Sequence, residues 1–560
     1  MIMAFCTLFS RYNSSMEAHM DQTIPERICF WGETEPDTPA FIFWSKDGRH
    51  VLSRGEVLDL SSRFAFRLTE LGVQPGDVVC IALPNCPERV IVSFGVQLAG
   101  AVAMNGQILR SDGQDIIESM RKANCKTFVT DPNQENGAWG ICSGFFEVVS
   151  DGEYSSEIKC VNVPSLTNVV YCKTKKPECE FLRSLPSNNR YVNNKMKPSD
   201  VVQIFTTSGS SGYTKLVQHS HKALLMLGKM FIEMMGEHGK YENSVYNAAP
   251  LGWAGGFPYF FLLAGWQQIL INDSVGVPTD DLQFVWNIIS QEDIRIAMLS
   301  SFQITGICKR RDIWESKNHK LYLIGTGGQP LKKGSLESIG QLTDAVFNGY
   351  GSTEVGVVSS IIFNEENMCD FKENIVGFAA SGVDVKVVDS RMVEVQPNAH
   401  GEILIRSETV TKGYLGDPHL STLQDGWFRT GDLGYKDTRG CLFIEGRSSD
   451  AIMHGPYILY PTWLEEKLAK CPGIKQNYIV PIPDKVLHHE ICACVQLEEG
   501  AKTTQDDILH FVKGEVGAGI STAMNVVPKY VEFFDTFPVL NSFKIDRKQL
   551  AKLAIERLQL

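Results

Sequence analysis

The stretch VVQIFTTSGSSGYTK, residues 201–215, decides the fold. Its first five residues are β-branched or apolar at all but one position and read as a buried strand. The strand runs straight into a turn containing Gly209 and Gly212. Glycine lets a backbone turn bring its N–H groups close to phosphate oxygens. The hydroxyls of Thr207, Ser208, Ser210 and Ser211 add donors, and Lys215 adds a mobile positive charge. The spacing is not that of a Walker A loop, because Gly-Lys-Ser/Thr is absent. Taken alone, the stretch also fits a flexible linker.

On either side the chain alternates. GEVLDLSSRFAFRLTELG (55–72) carries apolar residues at helical spacing and stops at Gly72. DVVCIALPN follows as a buried strand, and ERVIVSFGVQLAGAVAMN as an apolar helix and another strand. This alternation implies a largely parallel sheet with helices on its faces. SNNRYVNNKMKPSD reads as a surface loop. A second alternating block covers roughly 245–360. From 375 to 445 the pattern changes to short strands and turns, a small β-subdomain. The last 110 or so residues read as a small α+β lid. The expected class is therefore α/β: a large N-terminal domain (17–446) with parallel-type sheets, helices and a β-subdomain, and a small mobile α+β C-terminal domain (447–560).

The 560 residues are 43% hydrophobic and 21% charged, enough for a large core and more than one domain. A formal net charge of −12 argues against general nucleic-acid binding, which needs a basic face. Fifteen cysteines lie scattered without a framework, which suits a reducing compartment. Cys492 and Cys494 sit in the apolar run ICACVQL and read as packing residues. His488-His489-Glu490 lacks partners at zinc spacing and reads as a loop. No run of about 18 apolar residues suggests a membrane span. The opening MIMAFCTLFSRYNSS has one Arg and is thin as a transit peptide. Leu558-Gln559-Leu560 is a poor peroxisomal address. The expectation is an intracellular protein, cytoplasmic first, with mitochondrial or peroxisomal placement as alternatives.

Further motifs follow the loop in order. They are GTGGQPL (325–331), NGYGSTE (348–354), GWFRTGDLGY (426–435), IEGRSSD (444–450) and PVLNSFKIDRKQL (538–550). Together with TTSGSSGYTKLVQHSH (206–221), this series resembles the adenylate-forming superfamily of acyl-CoA synthetases, aryl-CoA ligases and adenylation domains. The resemblance covers nearly the whole chain. It implies ATP, Mg²⁺ and coenzyme A, with a carboxylic acid as substrate. In its terms, Thr207, Ser208, Gly209, Ser210, Ser211, Gly212 and Lys215 hold the β- and γ-phosphates. Thr353 touches the α-phosphate and Glu354 ligates Mg²⁺. Tyr350 lies against adenine, with Gly327, Gly328 and Gln329 on the other side of the ring. Asp432 and Arg447 hold the ribose. Lys544 neutralises charge building between carboxylate and α-phosphate. Rotation of the small domain then opens a path for the thiol.

The chain departs from this pattern in places. Thr214 replaces a Pro. Trp253, in APLGWAGGFP, stands where many members have His, although medium-chain and acetyl-type synthetases also resemble this form; it is expected to wall the acyl pocket. Ser449 stands at the pivot, Pro456 where a Gly is usual with Gly455 before it, Trp463 in place of an acid while Glu465 matches, and Phe543 where a Gly is usual. Proline fixes φ, so a slow thioester step is expected. Two rivals stay open: an acyl-adenylate former with another acceptor, and a nucleotide- or acyl-binding pseudoenzyme.

Overall fold

The computed structural model describes residues 21–46, 48–108, 112–133, 137–172, 181, 185, 188–208, 214–239, 243–272, 281–315, 319–329, 331, 336, 338–372, 374–411, 413–416, 425–454, 457–459, 461–485, 487–517, 527–539 and 545–560. By residue contacts the chain divides into two compact units, Met1–Asp384 with Ile405–Phe428, and Val385–Leu404 with Arg429–Leu560. This division and the boundary expected after residue 446 differ by the segments 385–404 and 429–446. Among the described residues no helix is long and apolar enough to cross a membrane.

The first unit holds two sheets. In one, Val201–Ser208, Val102–Asn105, Val78–Ala82, Thr127–Thr130 and Asn168–Tyr171 lie side by side in that order, all parallel. Antiparallel strands flank them, with Thr214–Ser220 paired to Val201–Ser208 at one edge. In the other, Thr343–Ser352, Leu321–Gly327, Ile296–Met298, Ser244–Asn247, Gln267–Ile271 and Pro39–Ser45 run parallel. Antiparallel Gly356–Asn364 flanks this set.

Local sequence explains the elements. The helix Arg54–Glu70 starts with a capping box, the Ser53 hydroxyl accepting from Glu56 N–H while the Glu56 carboxylate accepts from Ser53 N–H. Its Val57, Phe64, Ala65 and Leu68 are fully buried at helical spacing. The next helix, Pro87–Leu98, opens on proline and is apolar nearly all round, so it is buried on most sides. The helices and strands expected over 55–105 are thus present, and residues 188–200 form the expected loop.

In the second unit, Asp384–Val388, Gly401–Arg406, Phe428–Lys436 and Leu442–Arg447 form the small β-subdomain, with the unit division falling at the ends of these strands. Ile474–Asp484 and His488–Leu497 form a long antiparallel hairpin, covered by Pro461–Leu468, Gln505–Gly517 and Arg547–Leu558. Cys492 and Cys494 are fully buried in it, as packing residues. The loop expected at His488-His489-Glu490 is corrected: these residues pair with Asp484, Pro483 and Ile482 and continue the strand. Their polarity suggested a loop, but the ladder to the neighbouring strand satisfies their backbone. Glu465 and Arg547 form a bidentate pair of 2.6 and 2.8 Å, and Glu465 also accepts from Ile479 N–H at 2.8 Å.

His221 gives the first unit a pH dependence. The ring is buried, and its Nδ1 accepts from Ile24 N–H at 3.1 Å, which requires the neutral form. Burial pushes its pKa down from 6.5 to about 4, against the pull of Asp200 and Glu26. The unfolded chain therefore binds more protons between these values. Stability is intact above about pH 6.5 and falls as pH drops toward 4, by roughly 3 kcal/mol if the whole shift is expressed. In His221→Gln the fall in Tm over this window should be shallower than in the wild type. Equal slopes in thermal melts would refute the assignment.

Candidate functional site

The phosphate-loop stretch is a hairpin. Val201–Ser208 and Thr214–Ser220 pair antiparallel, with Thr207 opposite Lys215 and Ser208 opposite Thr214. The connecting residues Gly209, Ser210, Ser211 and Gly212 lie outside the described residues, as do Lys544, Phe543, Gly455 and Pro456. Thr207 and Lys215 are therefore cross-strand neighbours at the mouth of the loop, and Thr207 is half-buried.

A second hairpin carries Thr353 and Glu354. Thr343–Ser352 and Gly356–Asn364 pair antiparallel, and the three-residue tip Thr353-Glu354-Val355 joins them. All three tip carbonyls are taken. The Thr353 oxygen accepts from His219 Nε2–H at 2.7 Å. The Glu354 oxygen accepts from Thr411 N–H at 2.7 Å, and the Val355 oxygen from the Thr409 hydroxyl at 3.0 Å. The Thr411 hydroxyl also donates to Gln218 O at 3.0 Å, and Leu415 N–H to Leu216 O at 2.9 Å. Thr409, Thr411 and Leu415 thus strap the tip of one hairpin to the strand of the other.

Tyr414 completes this link. Its hydroxyl donates to Glu354 Oε1 at 2.8 Å. Lys215 Nζ donates to the same hydroxyl at 3.3 Å and sits 4.5 Å from the centre of the tyrosine ring. The structure therefore brings together Lys215 and Glu354, far apart in sequence, through a phenol that donates to the carboxylate and accepts from the ammonium. His219 is buried, and burial pushes its pKa down against the Thr353 carbonyl and the Glu354 charge. It stays neutral, with Nε2 carrying the proton.

Behind the tip, Leu321–Gly327 runs parallel to Thr343–Ser352 with Gly327 opposite Gly349. A Cβ at Gly327 would lie 2.6 Å from the Gly349 oxygen, so the two backbones meet without side chains between them. Gly328 has φ of +77°, which glycine adopts at no steric cost. Gln329 is exposed, and Tyr350 is half-buried one residue beyond Gly349. These residues share the end of two neighbouring strands. Trp253, half-buried, precedes a single 3₁₀ turn at 254–256.

In the second unit, Asp432 and Arg447 are direct cross-strand partners on Phe428–Lys436 and Leu442–Arg447. Arg447 Nε donates to Asp432 Oδ1 at 2.7 Å and its Nη1 to Thr430 O at 3.0 Å. Asp432 is buried, while the Arg447 side chain is half-exposed. Sequence reasoning missed His219, Thr409, Thr411 and Tyr414. His219 stands inside the quoted stretch 206–221; for the other three the signal was compositional, a Thr-x-Thr pair and a Gly-Tyr, neither of which names its partner.

The AMP-binding enzyme family model matches residues 30–415. The chain is 27% identical over 548 residues to 4-coumarate–CoA ligase 4 of Arabidopsis thaliana, covering 94% of this chain and 90% of the relative. It is 24% identical to the mitochondrial medium-chain acyl-CoA ligase ACSF2 of Bos taurus, covering 99% and 91%. The solved structure of ATP-bound MatB from Rhodopseudomonas palustris superposes with a TM-score of 0.78 at 20% identity, covering 96% of this chain and all of that one. With a family model spanning well over half its length, this chain belongs to the AMP-binding enzymes.

Proposed function

We propose that the chain activates a carboxylic acid with ATP and passes the acyl group to coenzyme A. The observation that carries this reading is the Lys215–Tyr414–Glu354 link, held by the clamped tip at 353–355. It sets a cation and a carboxylate side by side at the mouth of a glycine-rich hairpin. In the first step a substrate carboxylate oxygen bonds to the α-phosphorus of ATP, and the bond to the β-phosphate oxygen breaks. Pyrophosphate leaves with that electron pair, and acyl-AMP remains. In the second step the thiolate sulfur of coenzyme A bonds to the acyl carbon and AMP leaves. Both steps bring anions together, so the site needs fixed donors and cations more than a strong base.

In this reading Lys215, Thr207, Ser208 and the loop 209–212 hold the β- and γ-phosphates, and Thr353 touches the α-phosphate. Adenine lies against Tyr350, with Gly327, Gly328 and Gln329 on the other side of the ring. Asp432 accepts from the ribose hydroxyls with Arg447 assisting. Glu354 fits a hard cation in the chemistry of its donor, a carboxylate oxygen. Mg²⁺ held there would supply charge neutralisation for the phosphate oxygens. Lys544, by its motif, serves the first step only, and the segment after 447 moves between the steps. The half-buried Trp253 walls the acyl pocket. The relatives' names, an aryl and a medium-chain ligase, support an aryl, branched or fatty acid body.

Acid-dependent ATP–pyrophosphate exchange is the direct test. Glu354→Gln keeps the size and the bond from Tyr414 but loses the charge, and exchange should collapse. Near-normal exchange at saturating Mg²⁺ would sink the metal assignment. Tyr414→Phe removes one hydrogen bond to a charged group, worth about 1.5–3 kcal/mol, so kcat/KM should drop roughly 10- to 100-fold. The KM for ATP should rise with it; an unchanged ATP dependence would make Tyr414 a packing residue. Lys544→Ala should slow adenylation by about 10²–10³ while sparing thioester formation from supplied acyl-AMP. Equal losses in both half-reactions would point instead to a folding defect.

A further inference from the structure

Arg89 is a buried cation at the start of a helix. It is 6% exposed, in the first turn of the helix Pro87–Leu98. The positive end of a helix dipole disfavours a cation there. Its Nη1 donates to the Leu83 carbonyl and its Nη2 to Asn105 Oδ1 at 2.7 Å. No carboxylate pairs with it among the described residues. Burial lowers its pKa only to about 10, so it stays charged at neutral pH. A buried guanidinium bonded only to neutral groups leaves its charge uncompensated, which costs several kcal/mol.

The surroundings are those of the acid side of the proposed site. Asn105 donates to the Thr206 hydroxyl at 3.4 Å, one residue before the phosphate-binding stretch begins at Thr207. Asn85, four residues before Arg89, accepts from Leu251 N–H at 2.8 Å. The following residue, Gly252, is pressed onto the pair: a Cβ there would lie 2.2 Å from Nη2 of Arg89 and 2.2 Å from Oδ1 of Asn105. Trp253 is next in the chain. The guanidinium therefore lies between the strand that delivers the phosphate-loop stretch and the turn that carries Gly252 and Trp253. Only glycine at 252 admits it there.

We propose that Arg89, held by Asn105 under Gly252, is the recognition cation for a second ionised group on the acid, so that the preferred substrates are dicarboxylic acids or acids carrying an equivalent second anion. This rests on the reading of the chain as an acid-activating enzyme. The bound anion supplies the missing counter-charge and favours the helix terminus as well. A monocarboxylic acid of equal length leaves the guanidinium uncompensated.

The test is isothermal titration of the full chain, with α,β-methylene-ATP present, using dicarboxylic acids and monocarboxylic acids of matched carbon number. This analogue blocks release of pyrophosphate, so binding is read without turnover. The wild type should bind the diacid about tenfold or more tightly than the monoacid. Arg89→Leu should erase that ratio. Asn105→Asp should erase it too, because it gives Arg89 an internal carboxylate while leaving the guanidinium in place. This second variant keeps the test valid if Arg89→Leu fails to fold, and its melting temperature should not fall. Equal affinities in the wild type, or a diacid preference that survives Asn105→Asp, would overturn the proposal. Pyrophosphate exchange, run in parallel, reports on the adenylation reading by itself: absence of exchange with every acid would sink that reading, while the titration ratio still decides the anion site.

Discussion

Three consecutive carbonyls at residues 353–355 require donors, and His219, Thr411 and Thr409 supply them. That requirement governs the large unit. A buried backbone oxygen left unpaired costs about 1–3 kcal/mol, so the tip cannot drift without losing several such bonds together. Thr409, Thr411 and Leu415 accordingly lie between two hairpins from different sheets. Once there, the strap places Tyr414 between Lys215 and Glu354. A requirement of backbone hydrogen bonding thus becomes a constraint on where two charges stand.

The same strap explains why the buried histidine is tolerated. His219 would lose its ring hydration on burial, and its Nε2–H finds the Thr353 carbonyl instead. Its pKa falls, so the ring does not bring a second positive charge beside Lys215. The cation near the phosphate loop therefore remains the flexible one. A lysine on a long stem can follow phosphates as they change charge and position. A fixed charge on His219 would instead be aimed at the interior.

Much of the fold was legible because its elements follow local rules. Helix 54–70 shows its capping box and apolar stripe, and strand 78–82 shows an unbroken apolar run. The strand at His488–Leu497 was only half legible: ICACVQL reads as buried, but His488, His489 and Glu490 are strand by virtue of a partner eleven residues long. The site divides the same way. Lys215, Glu354, Asp432 and Arg447 stand in motifs, and the pairing of Asp432 with Arg447 follows from a ladder whose register local sequence does not state. Tyr414 could not be found, because its two partners are 199 and 60 residues away and nothing local marks a phenol that bridges charges.

Two glycines show how differently the same chemical absence can be used. At Gly327 the missing Cβ lets one backbone lie against another: a Cβ there would stand 2.6 Å from the Gly349 oxygen. Nothing charged is involved. At Gly252 the missing Cβ admits a guanidinium and the amide that holds it. The first glycine stands in the short motif GTGGQPL. The second lies outside the motifs, beside the half-buried Trp253, where the acid and not the nucleotide would be met. An element shared by the chemistry can be recognised from a short pattern. The proposed acid-selecting element is assembled from Leu83, Arg89, Asn105, Thr206 and Gly252, on four separate segments, and becomes visible only when the fold has brought their charge balance into one place.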